Sequence, residues 1–240
     1  MLPADSDERL AIARRIVADR CLYGVDINPM AVEMAKLSLW LVTLHKDRPF
    51  TFLDHALKCG DSLLGVSSVK QIENFSLKPG GQQMTFATAN LFRYVEDASA
   101  KRRALEAMPS NDHAQIEAKK RLHAEAEAAT AKVKALADCL LAFELRGVGE
   151  QQYEEQRAET ANRAELAMHK PLPEFQVSAR DQLNGRRPFH WPVEFPEVFE
   201  RGGFDAFVGN PPFMGGKKIS STLGVDYRDC VVAHLAGKAK

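Results

Sequence analysis

The chain lacks a net charge: 32 Lys and Arg balance 32 Asp and Glu over 240 residues. No global positive field draws in a polyanion, although a local basic strip is enough for phosphate contacts. It also lacks any run approaching the roughly eighteen apolar residues of a membrane-spanning helix. The opening Met1-Leu-Pro-Ala-Asp-Ser-Asp-Glu8 has neither a basic nor an apolar region, so no secretory signal is read there. Cysteine is sparse: Cys21, Cys59, Cys139 and Cys230 form no C-x-x-C pair, which excludes a zinc ribbon or a thioredoxin-type site. Without a signal peptide they are expected as reduced thiols of a cytoplasmic protein. None of the seven histidines stands four residues from another, so no helical zinc pair exists and no metal is expected.

What is present is an ordinary globular composition, 45% hydrophobic and 27% charged, rich enough for a sizeable core. At about 150 residues per domain the length suggests one large domain, or one domain carrying an insertion. Three zones differ in texture. In the first, residues 1–94, an amphipathic helix over Glu8 to Asp19 precedes a strand-like Leu22-Tyr-Gly-Val-Asp-Ile27. Asn28-Pro29 then starts a helix, with Asn as N-cap and Pro at the first helical position. Met34, Leu37, Leu39, Trp40, Leu41 and Leu44 make that helix apolar over much of its surface, so it is expected to be well buried. A second strand ends near Cys59, ahead of Gly60-Asp-Ser-Leu-Leu64.

Residues 95–170 carry abundant alanine and, between 95 and 146, no glycine and one proline. Leu122, Ala126, Ala129, Val133, Leu136, Leu140 and Phe143 alternate spacings of four and three, a heptad seam. The zone reads as a helical, coiled-coil-like insertion: a solvated spacer with one packed stripe, in preference to a DNA clamp or partner arm. The third zone, 171–240, holds Phe189-His-Trp-Pro-Val-Glu-Phe-Pro-Glu-Val-Phe199, a strand-like Phe204-Asp-Ala-Phe-Val-Gly209, and Asn210-Pro-Pro-Phe213. Two apolar strand regions with helices between them argue for an α/β sheet interrupted by the helical insert.

Asn210-Pro211-Pro212-Phe213 is the sharpest chemical signal, because it sits just past an apolar strand, where open α/β sheets place their ligand crevice. It suits transfer to an exocyclic amine, whose lone pair is delocalised into an aromatic ring. An asparagine oxygen and an adjacent backbone carbonyl can accept both amine hydrogens, pull the nitrogen toward tetrahedral geometry and stabilise the developing charge. The prolines hold the carbonyls in place, and Phe213 can stack on the base. A base in a duplex reaches such a pocket only by flipping out. The plainer alternative is a proline-stiffened turn capped by asparagine.

Together with Tyr23-Gly-Val-Asp-Ile-Asn-Pro29, Leu37-Ser-Leu-Trp-Leu41, Gly60-Asp-Ser-Leu-Leu64, Phe189-His-Trp191, Phe195-Pro-Glu-Val-Phe199 and Gly203-Phe-Asp205, this motif resembles the gamma-type adenine-specific (N6) DNA methyltransferases, closest to the large restriction–modification and phage-defence methylases. The order of motifs is that family's order. The resemblance implies a partial Rossmann-like sheet that binds S-adenosylmethionine, and double-stranded DNA with a flipped adenine as partner. It places Asp26 on the ribose hydroxyls, Ile27 against the cofactor adenine, and Asp61 on the adenine amino group with Ser62 beside it. It makes Asn210, Pro211, Pro212 and Phe213 catalytic. Met214-Gly-Gly-Lys-Lys-Ile219 looks like the family's basic loop, with Lys217 and Lys218 on phosphates; an exposed glycine–lysine turn is the alternative.

The family's glycine-rich cofactor loop has no counterpart in Met1 to Asp19, and its later strands and recognition domain are not found. The chain is therefore expected to be the middle of a methylase, with weak or no activity alone, completed by the remaining parts of a parent protein or by a complementing chain. A truncated sheet is expected to expose strand edges and apolar helix faces. Methyl transfer to a glutamine amide or to ribosomal RNA guanine, and a non-enzymatic remnant or partner subunit, stand as alternative functions.

Overall fold

The computed structural model describes residues 5–44, 49, 52–78, 88–170, 179, 181–210 and 216–235. Asp5 opens helix α1, Ser6–Arg20, by accepting the Glu8 amide, and Asp7 and Glu8 favour its positive end. Strand β1, Gly24–Asp26, runs straight into helix α2, Pro29–Val42. The turn follows the sequence signal: Asn28 accepts the Met30 amide at 2.9 Å and Pro29 enters the first turn. Strand β2, Leu57–Cys59, pairs parallel with β1, with Gly24 opposite Leu57 and Asp26 opposite Cys59. Parallel neighbours need a crossover, and α2 lies within it. Among the described residues these two strands form the sheet, so the molecule is a small α/β unit within a mainly helical body.

Helices α3 (Val69–Glu73), α4 (Thr88–Ala107), α5 (His113–Leu145) and α6 (Glu150–His169) follow. Then come two short helices, α7 (Trp191–Glu194) and α8 (Pro196–Glu200), and finally α9 (Gly216–Leu223) and α10 (Val225–Leu235). Helix α5 is no solvated spacer. Ala126, Val133, Leu136, Leu140 and Phe143 of the heptad seam are buried, but so are Ala137, Cys139, Leu141, Ala142 and Leu145. The reason was in the composition: from Ala135 to Leu145 the helix is apolar on nearly every face, and such a helix belongs in a core. Leu64, Val66, Ile72 and Phe75 pack on it from the β2–α3 side, Ala161 and Ala164 from α6, and Tyr227 and Cys230 from α10.

Buried charge also ties the helices to the sheet. Arg102 of α4, 2% exposed, meets the fully buried Glu197 of α8 through two hydrogen bonds and donates a third to the His55 carbonyl. Lys119 of α5 bonds both oxygens of Asp19 on α1 at 3.0 Å. Lys58 of β2 and Lys134 of α5 each bridge Glu127 and Glu194 at 2.5 to 2.9 Å. Burial alone would raise the Glu127 carboxyl, but the two ammonium groups outweigh it and hold it at about 2. Such pairs cost desolvation and fix geometry; losing one partner strands the other charge.

Two expectations fail in the sheet region. Helix α2 is not well buried: only Val32 is, while Met30, Met34, Leu37, Leu41 and Val42 are exposed. The run Phe204 to Gly209 is not a strand, and Phe207 and Val208 face solvent. Both failures have one cause. A strand needs a neighbour's backbone and an apolar helix needs a facing surface, and a two-stranded sheet supplies neither. The exposed helix face was itself expected of an incomplete sheet. Among the described residues no helix is long and apolar enough to cross a membrane.

Candidate active site

The carboxyl ends of β1 and β2 bring the two acidic positions together. Asp26 is the last residue of β1, and its carbonyl accepts the Gly60 amide at 3.0 Å, one residue before Asp61. Asp26 is exposed, and its Oδ1 accepts the Asn28 amide at 2.7 Å, which fixes the carboxylate over the start of α2. Ile27 beside it is 62% exposed, an apolar surface next to a carboxylate.

Asp61 is placed more tightly. Its amide donates to the Arg187 carbonyl at 2.7 Å, and its Oδ1 accepts the amides of Leu63 and Leu64 at 3.0 and 3.2 Å. The loop from Gly60 to Val66 is held by the Phe189-His190-Trp191 segment. The Phe189 amide donates to the Leu64 carbonyl, and the Trp191 indole donates to the Ser62 carbonyl at 3.0 Å. A Cβ on Gly65 would lie 1.9 Å from the Phe189 carbonyl oxygen, so only glycine permits this approach. The Val66 amide donates to His190 Nδ1 at 3.3 Å, which leaves the ring proton on Nε2, facing Asp138 Oδ1 at 3.1 Å. Ser62 itself is exposed at the tip of the loop.

Asn210 is exposed, and the run leading to it is anchored on the segment that holds the Asp61 loop. Phe204 and Phe207 pack edge-on against Trp191 with ring centroids 5.7 and 5.6 Å away. Three further residues reach Asn210, a span of at most about 10 Å. An aromatic cluster of Tyr23, Phe189, Trp191, Phe195 and Phe204 thus roots both the Asp61 loop and the run into Asn210. Pro211, Pro212 and Phe213 lie outside the described residues. Lys217 and Lys218 stand in the first turn of α9, where a loop was expected. Among the described residues no three His, Cys, Asp or Glu side chains gather as metal ligands would.

Sequence reasoning missed Tyr227. Its hydroxyl donates to Asp61 Oδ1 at 3.2 Å from α10, a segment to which the sequence alone assigns no role. Nothing local marks it, since the pairing joins residues 166 apart.

Comparison with known proteins identifies the family. The sequence profile described as the Eco57I restriction-modification methylase matches residues 20–235. A candidate type II restriction enzyme and methyltransferase of Methanocaldococcus jannaschii is 28% identical over 238 aligned residues, covering 84% of this chain and 18% of that protein. The chain thus spans about a fifth of that relative's length. No solved structure matches. The profile match covers most of the chain, which therefore belongs to the Eco57I restriction-modification methylase family.

Proposed function

From that membership we propose that the chain is part of a site-specific DNA methyltransferase that moves a methyl group from S-adenosylmethionine to the N6 amine of a flipped adenine. The β1–α2–β2 unit is then part of a Rossmann-like cofactor sheet, interrupted by the helical segment. The observation that carries the reading is the placement of Asp26 and Asp61 at the carboxyl ends of two parallel strands, where an open α/β sheet has its usual crevice.

The residues suit the cofactor's adenosyl end. Exposed Asp26 offers a carboxylate to a ribose diol, and exposed Ile27 offers an apolar face to a purine. Among the described residues, the hydrogen bonds to the Asp61 side chain fall on Oδ1 and Oδ2 takes none. That second oxygen is left to accept an amine hydrogen. When bound, the cofactor supplies an electrophilic methyl group. Asn210 and the carbonyl beside it accept the target amine's hydrogens and point its lone pair; the prolines keep that pair of acceptors rigid, and Phe213 stacks on the base. Lys217 and Lys218, at the start of α9, contact phosphates near the flipped nucleotide.

Segments of a longer protein, or a complementing chain, cover the exposed apolar residues of α2 and pair with the run from Phe204 to Gly209. Two findings support this: the exposure of Leu37 and Leu41, and the small share of its relative that the chain spans. The test is transfer of a labelled methyl group by the product of the complete reading frame, offered duplex DNA, ribosomal RNA and protein. Label recovered as N6-methyladenine, and lost in Asn210→Ala, is expected. Label on RNA guanine or on glutamine would replace the DNA reading, and undiminished transfer by Asn210→Ala would remove the role of the asparagine.

A further inference from the structure

Asp61 is gripped by two segments remote from it in sequence, and they are linked to each other. Arg187 takes the Asp61 amide on its carbonyl, while the neighbouring Arg186 binds Asp226 through two hydrogen bonds and donates to the Leu223 carbonyl. The Arg186 guanidinium also lies over the Tyr227 ring, 5.7 Å from its centroid. Tyr227 is therefore fixed before it reaches Asp61: it is 4% exposed, its ring is covered by Arg186, and its helix is pinned at Asp226. Burial, and then the Asp61 charge, raise the phenol well above its ordinary range, so it reaches the carboxylate as a donor.

We propose that Tyr227 is a positioning residue for the cofactor: its hydroxyl holds Asp61 Oδ1 so that Oδ2 faces the amino group of the bound adenine. The role rests on the cofactor reading above. A carboxylate held only by the amides of Leu63 and Leu64 keeps freedom about its last torsion, whereas a third donor from a separate element removes it. An acceptor that is already oriented loses less entropy when the amine arrives. The arrangement also ties α10, in the segment that follows Asn-Pro-Pro-Phe, to the cofactor side of the site.

A structural role for Tyr227 would affect every ligand alike, and a positioning role affects only a ligand that presents the amine. The experiment measures calorimetric affinities of S-adenosylhomocysteine and of S-inosylhomocysteine, which carries an oxygen in place of that amine. The protein is the product of the complete reading frame, as wild type, Asp61→Asn, Tyr227→Phe and the double variant, with thermal melts confirming that each is folded. We expect wild type to prefer the adenosyl ligand. Tyr227→Phe should weaken that ligand about fivefold, the worth of one hydrogen bond, and leave the inosyl ligand unchanged. The double variant should be no weaker than Asp61→Asn. If Asp61→Asn loses the preference and Tyr227→Phe keeps it, or if Tyr227→Phe weakens both ligands equally, the positioning role is overturned while the cofactor reading stands. If wild type binds neither ligand, the cofactor reading falls and the role falls with it; if Asp61→Asn changes nothing, Asp61 does not hold the amine and the positioning role is overturned.

Discussion

Helices α2 and α5 are both rich in apolar residues, and they end in opposite states. In the last three turns of α5, Leu136, Ala137, Cys139 to Phe143 and Leu145 are buried, against α3, α4, α6, α10 and the loop after β2. Of the fourteen residues of α2, Val32 alone is buried. The difference lies in what surrounds each helix. Around α5 the chain supplies surfaces for its large apolar side chains, so their burial is satisfied internally. Around α2 it supplies β1 and β2 on one side, and Met34, Leu37 and Leu41 meet solvent on the other. The candidate site sits at the edge of this second region, beside the surface that remains open.

The contrast predicts a graded set of effects. The largest belongs to Arg102→Ala, which strands buried Glu197 and should cost about 3–5 kcal/mol in urea unfolding. Arg103→Ala, next in sequence but half-exposed with Glu200, should stay within about 0.5 kcal/mol. Equal costs would erase the distinction between the two kinds of pair. Next, Leu136→Ala in α5 should cost about 3 kcal/mol, and Leu41→Ala in α2 under about 0.5 kcal/mol. Repeating that pair in the product of the complete reading frame sharpens the comparison, because Leu41 should become costly there if the α2 face is covered.

Acid should loosen the helical region first. Burial, and then the Lys58 charge, lower His123 to about 4, and burial, with Arg102 next, lowers His55 as well. Both rings fold neutral, so the unfolded chain binds more protons between pH 6.5 and 4. Stability is therefore full above about 6.5 and falls as pH drops through that window, by on the order of 2 kcal/mol for His123. Denaturation midpoints across pH 4 to 7 check this, and His123→Asn should flatten the slope. The smallest effect on stability belongs to Leu37→Gln, which should leave the melting temperature within a few degrees and reduce self-association in light scattering.

Much of the local structure was legible in the sequence because it is set by neighbouring residues. Asn28-Pro29 carries its own helix start, Asp26 its place at a strand end, and Gly60-Asp61 its turn. The burial of α5 was partly legible: the heptad seam was visible, and the apolar run beyond it was the neglected signal. The failures concern partners. Whether Phe204 to Gly209 forms a strand depends on a neighbouring backbone, and whether Leu37 is buried depends on a facing surface, and neither is encoded within the segment itself. Tyr227 was illegible for the same reason, since its meaning comes from Asp61 and from the grip of Arg186 on Asp226.

The most direct test is hydrogen exchange on the 240-residue chain alone and within the longer methylase proposed for it, compared amide by amide. The account predicts that the α5 amides from Val133 to Leu145 are equally protected in both, while β1, α2 and the run from Phe204 to Gly209 gain protection only in the longer protein. Equal protection of α2 in the two would contradict it, because the exposed face would then need nothing further to cover it.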